Sequence, residues 1–230
     1  GAVLYEGADY ESFSIELLPE RRNVPLLEDK NKLVSNLFQQ KTKAAPLAFV
    51  ISGTGGSASA DKALWLAKQL FELGFHVVTL ANTVNFRYTL AVSESAAPGY
   101  SPRDAKEYYN VLKKITQYLK EKRGLQIQGY SVVGYSLGGL LAGFLAHEDH
   151  TQKEFNFDKV VLMNPAVSLD YAITTLDSYF QFGQTVKKSR QDSIKGKVIE
   201  TLSEISGKTM NQDSLSAIIE KNPLSTDKMR

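Results

Sequence analysis

Apolar residues in this 230-residue chain fall into short continuous runs, separated by stretches in which they recur at helical spacing. Leu47-Ala-Phe-Val-Ile51, Phe75-His-Val-Val-Thr-Leu80, the β-branched run before Gly134, and Lys159-Val-Val-Leu-Met163 are too short for buried helices. Each predicts a strand covered on both faces. Ala63, Leu64, Leu66, Ala67, Leu70 and Phe71 follow a period near 3.6 up to Gly74, which reads as the residue just past a helix end. Ser101-Pro102-Arg103-Asp104 reads as an N-cap, a first-turn Pro and a capping-box acid, opening a helix to about Arg123. Strands alternating with helices predict parallel pairing through right-handed crossovers. Phe13 to Leu17 and Leu33 to Phe38 alternate or cluster as two further strands, an antiparallel edge ahead of the parallel core. Residues 83–101 read as a long connection at a strand's C-terminal end. There Asn85, Phe86 and Arg87 either face a substrate or belong to an ordinary surface loop.

Beyond Ala166 no strand pattern returns. Leu169, Ile173, Leu176 and Phe180 form one helical stripe, and Ile194, Val198, Leu202 and Ile205 a second, with a last short helix from Asp213 to Glu220. The predicted organisation is an α/β core over residues 1–166, with edge strands in 10–40 and a parallel core in 45–166, then a helical region over 167–230. That region reads as a cap or lid, or as a helical tail packed on the sheet.

Chemistry enters at Gly134-Tyr135-Ser136-Leu137-Gly138, a G-x-S-x-G pattern between a β-branched run and the apolar run Gly139 to Ala146. A serine on a sharp strand-to-helix turn sits in strained backbone, so the positions two before and two after must be small. Its hydroxyl then projects clear of the sheet, toward the positive end of the helix. Upstream, Ser52-Gly53-Thr54-Gly55-Gly56-Ser57 follows the first core strand. A glycine-rich turn there lets backbone amides approach a developing negative charge, which points to the amides of Thr54 and Leu137 as oxyanion donors. Gly53, Gly55 and Tyr135 are the accompanying substrate-facing candidates.

This arrangement resembles the α/β-hydrolase superfamily over residues 45–167: a strand into Gly53-Thr-Gly-Gly56, a helix, the strand 75–80, then Gly-Tyr-Ser-Leu-Gly-Gly. The resemblance implies a mainly parallel sheet with helices on both faces and a helical cap after the sixth strand. It implies a serine hydrolase acting on an ester, thioester or amide through an acyl-enzyme, without a cofactor or a metal. Many members carry His before the first motif's glycine, where this chain has Ser52. The same Gly53-x-Gly55-x-x-Ala58 also matches a dinucleotide fingerprint. That reading expects a carboxylate at the end of the next strand, and Thr79-Leu80-Ala81-Asn82-Thr83 contains none.

Composition narrows the remaining choices. Hydrophobic residues make up 43% of the chain, enough for one substantial core. A net charge of +2 gives no reason to invoke nucleic acid. No apolar run approaches ~18 residues, so no transmembrane segment is expected. With no Cys there is neither a thiolate metal site nor a cysteine nucleophile. The compartment stays open between a bacterial cell envelope and a cytoplasm, and so does the oligomeric state. Small acyl or lipid-like molecules are the expected partners.

The expected triad order is Ser, acid, His, and the three histidines do not supply it. His76 starts a buried strand, at the end away from the serine. His147 and His150 lie beyond Ser136 on the same predicted helix, and none follows His150. Asp170, just after the last strand, is one candidate acid. Three explanations stand: an incomplete fold whose acid and His lie beyond this chain, a non-enzymatic binding or scaffolding protein on the same fold, or activation by a partner chain.

Overall fold

The computed structural model describes residues 10–21 and 31–185. The chain divides into a unit of residues 1–167 and a unit of residues 168–230.

The described residues of the first unit hold six strands: β1 (Glu11–Glu16), β2 (Lys32–Phe38), β3 (Ala44–Ile51), β4 (His76–Leu80), β5 (Gln126–Tyr135) and β6 (Lys159–Met163). Their order across the sheet is β1-β2-β4-β3-β5-β6. β1 pairs antiparallel with β2, and β2 antiparallel with β4; the β4-β3-β5-β6 block is parallel throughout. Between the strands run α1 (Asp61–Glu72), α2 (Phe86–Val92), α3 (Ser101–Arg123) and α4 (Leu137–Gln152).

The period of two explains how one strand feeds two cores. Residues Leu47 to Ile51 of β3 are all completely buried. Ala48 and Val50 pack with Val77 and Val133 against Ala63, Leu64 and Ala67 of α1. Leu47, Phe49 and Ile51 face the other way, into a larger cluster with Val78, Leu80, Tyr108, Leu112 and Ile115 of α3, and Leu141 and Leu145 of α4. Helices therefore cover both faces.

Three expectations need correction. β6 is not covered on both faces: it is the last strand in the sheet order, and Val161, Leu162 and Met163 are exposed. Residues 83–101 are not one open connection, because α2 occupies Phe86–Val92. Asn85 caps it, its Oδ1 accepting from the amides of Arg87 (3.1 Å) and Tyr88 (3.3 Å). At its C-terminal end the Arg21 guanidinium donates to the Thr89 and Leu90 carbonyls, so tertiary partners stabilise a helix too short to signal itself. The start of α3 also differs by one residue. Tyr100 is the N-cap, Ser101 and Pro102 are already helical, and Asp104 reaches back to the Gly99 amide (2.7 Å).

In the second unit the described residues hold α5 (Leu169–Thr185). The predicted stripe of Ile194 to Ile205 and the short helix at 213–220 lie outside the described residues. Among the described residues no helix is long and apolar enough to cross a membrane.

Candidate active site

Ser136 joins the C-terminal end of β5 to the start of α4, at φ 54° and ψ −124°. For a residue with a side chain this is strained backbone, and the surrounding structure holds it. The Ser136 amide donates to the Met163 carbonyl (2.9 Å), which ties the turn to the end of β6. Its carbonyl accepts from the amides of Gly139 (2.9 Å) and Leu140 (3.1 Å), the first bonds of the helix.

The flanking glycines are required by contact. A Cβ on Gly134 would stand 2.0 Å from the Gly138 carbonyl oxygen. One on Gly138 would stand 2.4 Å from the Ser52 oxygen and 2.5 Å from the Ile51 oxygen. Gly138 thus lets the start of α4 rest on the backbone at the end of β3, where the glycine-rich loop begins. Gly53 completes the junction: a Cβ there would lie 2.7 Å from the Tyr135 ring and 3.4 Å from the Ser136 Cβ. The two sequence motifs, about 80 residues apart in the chain, are in contact because β3 and β5 are neighbours in register, with Ile51 opposite Gly134.

The loop is braced from within and from outside. Ser52 is buried and its hydroxyl donates to the Ser57 carbonyl (2.7 Å), closing the loop on itself. At the position where many α/β-hydrolases carry His, this serine braces the loop. Gly56 donates to Gly53 (2.9 Å), making a tight turn with Thr54 exposed at its tip and Gly55 at φ 68°. Asn82 donates through its side chain to the Ser52 carbonyl (3.0 Å) and through its amide to Gly56 (3.0 Å). Asn85 donates to the Gly55 carbonyl (2.9 Å). Among the described residues neither the Thr54 nor the Leu137 amide donates to another protein group.

Ser136 lines a cavity of about 570 Å³ together with Asp61, Lys62, Trp65 and Leu66 of α1, Tyr135, Met163 and Asn164. Trp65, Leu66, Tyr135 and Met163 make its wall largely apolar, and the Lys62 ammonium sits over the Tyr135 ring at 5.8 Å. The α1 residues escaped the sequence reading. The signal available was positional: a helix that starts just after the glycine-rich loop must begin at the same sheet edge as Ser136.

Other predicted residues take different places. Asn85 is engaged in the cap and in the loop, Phe86 is exposed, and Arg87 lines a separate cavity with Lys32, Ser59 and Tyr88. Asp170 lies in the first turn of α5, in the second unit. His76 is buried, accepting at Nδ1 from the Gln40 amide (3.1 Å) with Nε2 3.3 Å from the Lys43 carbonyl, so Nε2 carries the proton. Burial holds its pKa below the ordinary value, against the opposing effect of the Lys43 carbonyl. In register it lies opposite Leu47, four residues before the Leu80–Ile51–Gly134 row, roughly 13 Å away at ~3.3 Å per residue. His147 and His150 are exposed on α4, 11 and 14 residues past Ser136, about 16 and 21 Å along the helix. Among the described residues no group of three or more His, Asp or Glu is placed to hold a metal.

Strand order, crossover helices and the strained turn after the fifth strand define the α/β-hydrolase fold. The chain superposes on brefeldin A esterase, a bacterial homologue of human hormone-sensitive lipase, with TM-score 0.50 and 20% identity, over 73% of this chain and 43% of that one. It superposes equally on EstE1, a thermophilic and thermostable carboxylesterase cloned from a metagenomic library, with TM-score 0.51 and 18% identity, over 73% and 51%. The chain therefore spans about half or less of the length of these structures. No protein-family model and no curated protein matches the sequence.

Proposed function

We propose that this chain carries the nucleophile and oxyanion half of a serine ester hydrolase that works through an acyl-enzyme. The observation that carries this reading is Ser136, held at φ 54° between two glycines that admit no Cβ, in the lining of a largely apolar cavity. Strain held at a serine whose hydroxyl lines a cavity supports a catalytic role over simple binding.

In the proposed reaction the Ser136 Oγ attacks the ester carbonyl carbon and the carbonyl π electrons move onto oxygen, while a general base takes the hydroxyl proton. The amides of Thr54 and Leu137 hold the resulting oxyanion. Collapse of the tetrahedral species breaks the bond to the alcohol, which leaves with the proton, and water repeats the cycle on the acyl-serine. The Trp65–Leu66–Tyr135–Met163 wall suits an apolar acyl or lipid-like group. That both superposed proteins are esterases favours an ester over a thioester or an amide. In this reading the histidine base comes from outside these 230 residues, and the orienting acid either comes with it or is Asp170.

The positions of the histidines favour a second reading, a binding or scaffolding protein that keeps the fold. A fluorophosphonate separates the two. The natural polypeptide is expected to be labelled at Ser136, with labelling abolished in Ser136→Ala, as read by peptide mass spectrometry. An unlabelled natural protein would leave the binding reading.

A further inference from the structure

We propose that Asn85 is a positioning residue that sets the oxyanion-binding loop, with Asn82 as its second anchor. The inference rests on the reading of Ser136 as an acyl-accepting nucleophile.

The Thr54 N–H shares a planar peptide with the Gly53 C=O, so the two point in opposite directions. Fixing one aims the other. The Gly53 oxygen is held by the Gly56 amide at 2.9 Å, and that turn must in turn be held. Three glycines in the loop, one of them at positive φ, leave it free to adopt many conformations unless something removes them.

The β4–α2 connection does this. Asn85 Nδ2 takes the Gly55 oxygen, the Asn82 amide takes the Gly56 oxygen, and Asn82 Nδ2 takes the Ser52 oxygen. With Ser52 Oγ on the Ser57 oxygen, the carbonyls of residues 52, 53, 55, 56 and 57 are all occupied, while the Thr54 amide is left to a ligand. Preorganised donors of this kind cost no rearrangement when charge develops on the substrate.

The side-chain chemistry at 85 is specific. Oδ1 accepts from two first-turn amides of α2, and the same amide group donates to the loop. Aspartate caps a helix as well as asparagine does. It has no donor for Gly55, and would set a carboxylate oxygen against a carbonyl oxygen. Asn85→Asp therefore separates capping from loop positioning.

The experiment uses the natural full-length polypeptide and p-nitrophenyl butyrate, with melting temperature and amide hydrogen exchange measured alongside. Asn85→Asp is expected to keep its melting temperature and a KM within about twofold. Its kcat falls about tenfold or more, short of the ~100-fold or greater loss from deleting a donor outright, and exchange quickens at residues 54–57. Asn85→Ser, a second capping residue without the reach, gives the same pattern. An active wild type with unchanged kcat and exchange in both variants overturns the inference and leaves the reading of Ser136 standing. A wild type inert to both ester and fluorophosphonate overturns the two together.

Discussion

At Ser136 the fold maintains a backbone conformation that costs an isolated L-residue ~1–3 kcal/mol. The cost is met locally, by the bond from the Ser136 amide to Met163 and by the glycines that let three backbone segments close around the turn. Gly138 is the most exposed to test, because both obstructing atoms are carbonyl oxygens of β3 and its following loop, which have nowhere to go. Gly138→Ala is expected to destabilise the protein by about 3 kcal/mol or more, read as a lowered urea midpoint. A midpoint equal to wild type would mean that the helix start does not rest on β3 as described. The glycine spacing was legible in the chain, since a strained serine demands it wherever it occurs. The tethering roles of Asn82 and Asn85 were not. An asparagine in a connection caps, turns or bonds at a distance, and only the neighbour that folding brings to it decides which.

At the scale of elements, the parallel strands were legible because each is a short apolar run; β3 and β4 are buried along most of their length, whereas β6 stands at the sheet edge with Val161, Leu162 and Met163 exposed. α2 was not, because its seven residues are held by Asn85 at one end and Arg21 at the other, a partner about 70 residues away. A similar long-range contact organises the passage from α4 to β6. Asp149, buried near the end of α4, accepts from the Tyr109 hydroxyl of α3 and from the amides of Phe155 (3.0 Å) and Phe157 (2.9 Å). Burial works to raise its pKa, but the bonds from Tyr109 and the loop amides outweigh it and hold the carboxyl below the usual range. Asp149→Asn should cost about 2 kcal/mol near neutral pH, since one acceptor becomes a donor facing donors. As pH falls below about 4 the unfolded chain takes up its proton before the folded one does, so wild-type stability declines there. The gap between wild type and variant is expected to narrow through that range in urea titrations at stepped pH. A gap that stays constant down to pH 2 would contradict the assigned role.

Over the whole molecule, the distribution of histidines decides how far this chain can act alone. His76 has both ring nitrogens engaged about four strand residues below the site, and the other two project from the far part of α4. A nucleophile in place without a base should respond to one supplied in solution. Imidazole is therefore expected to accelerate phosphonylation of Ser136 in the 230-residue chain, the rate rising with the neutral fraction of the added base and vanishing in Ser136→Ala. A fast rate without imidazole would show that some group of this chain already serves.

What the sequence determined by itself is whatever depends on local chemistry: which runs are strands, where glycines flank a serine, and that no cysteine and no histidine after His150 is present. Only the tertiary structure decided that the glycine-rich loop and the serine turn touch, that α1 walls the cavity, and that two asparagines bond to the loop carbonyls. Periodicity and spacing are properties of neighbours along the chain. The site is a property of strand order, which places β3 beside β5 and sets about 80 residues of intervening chain aside.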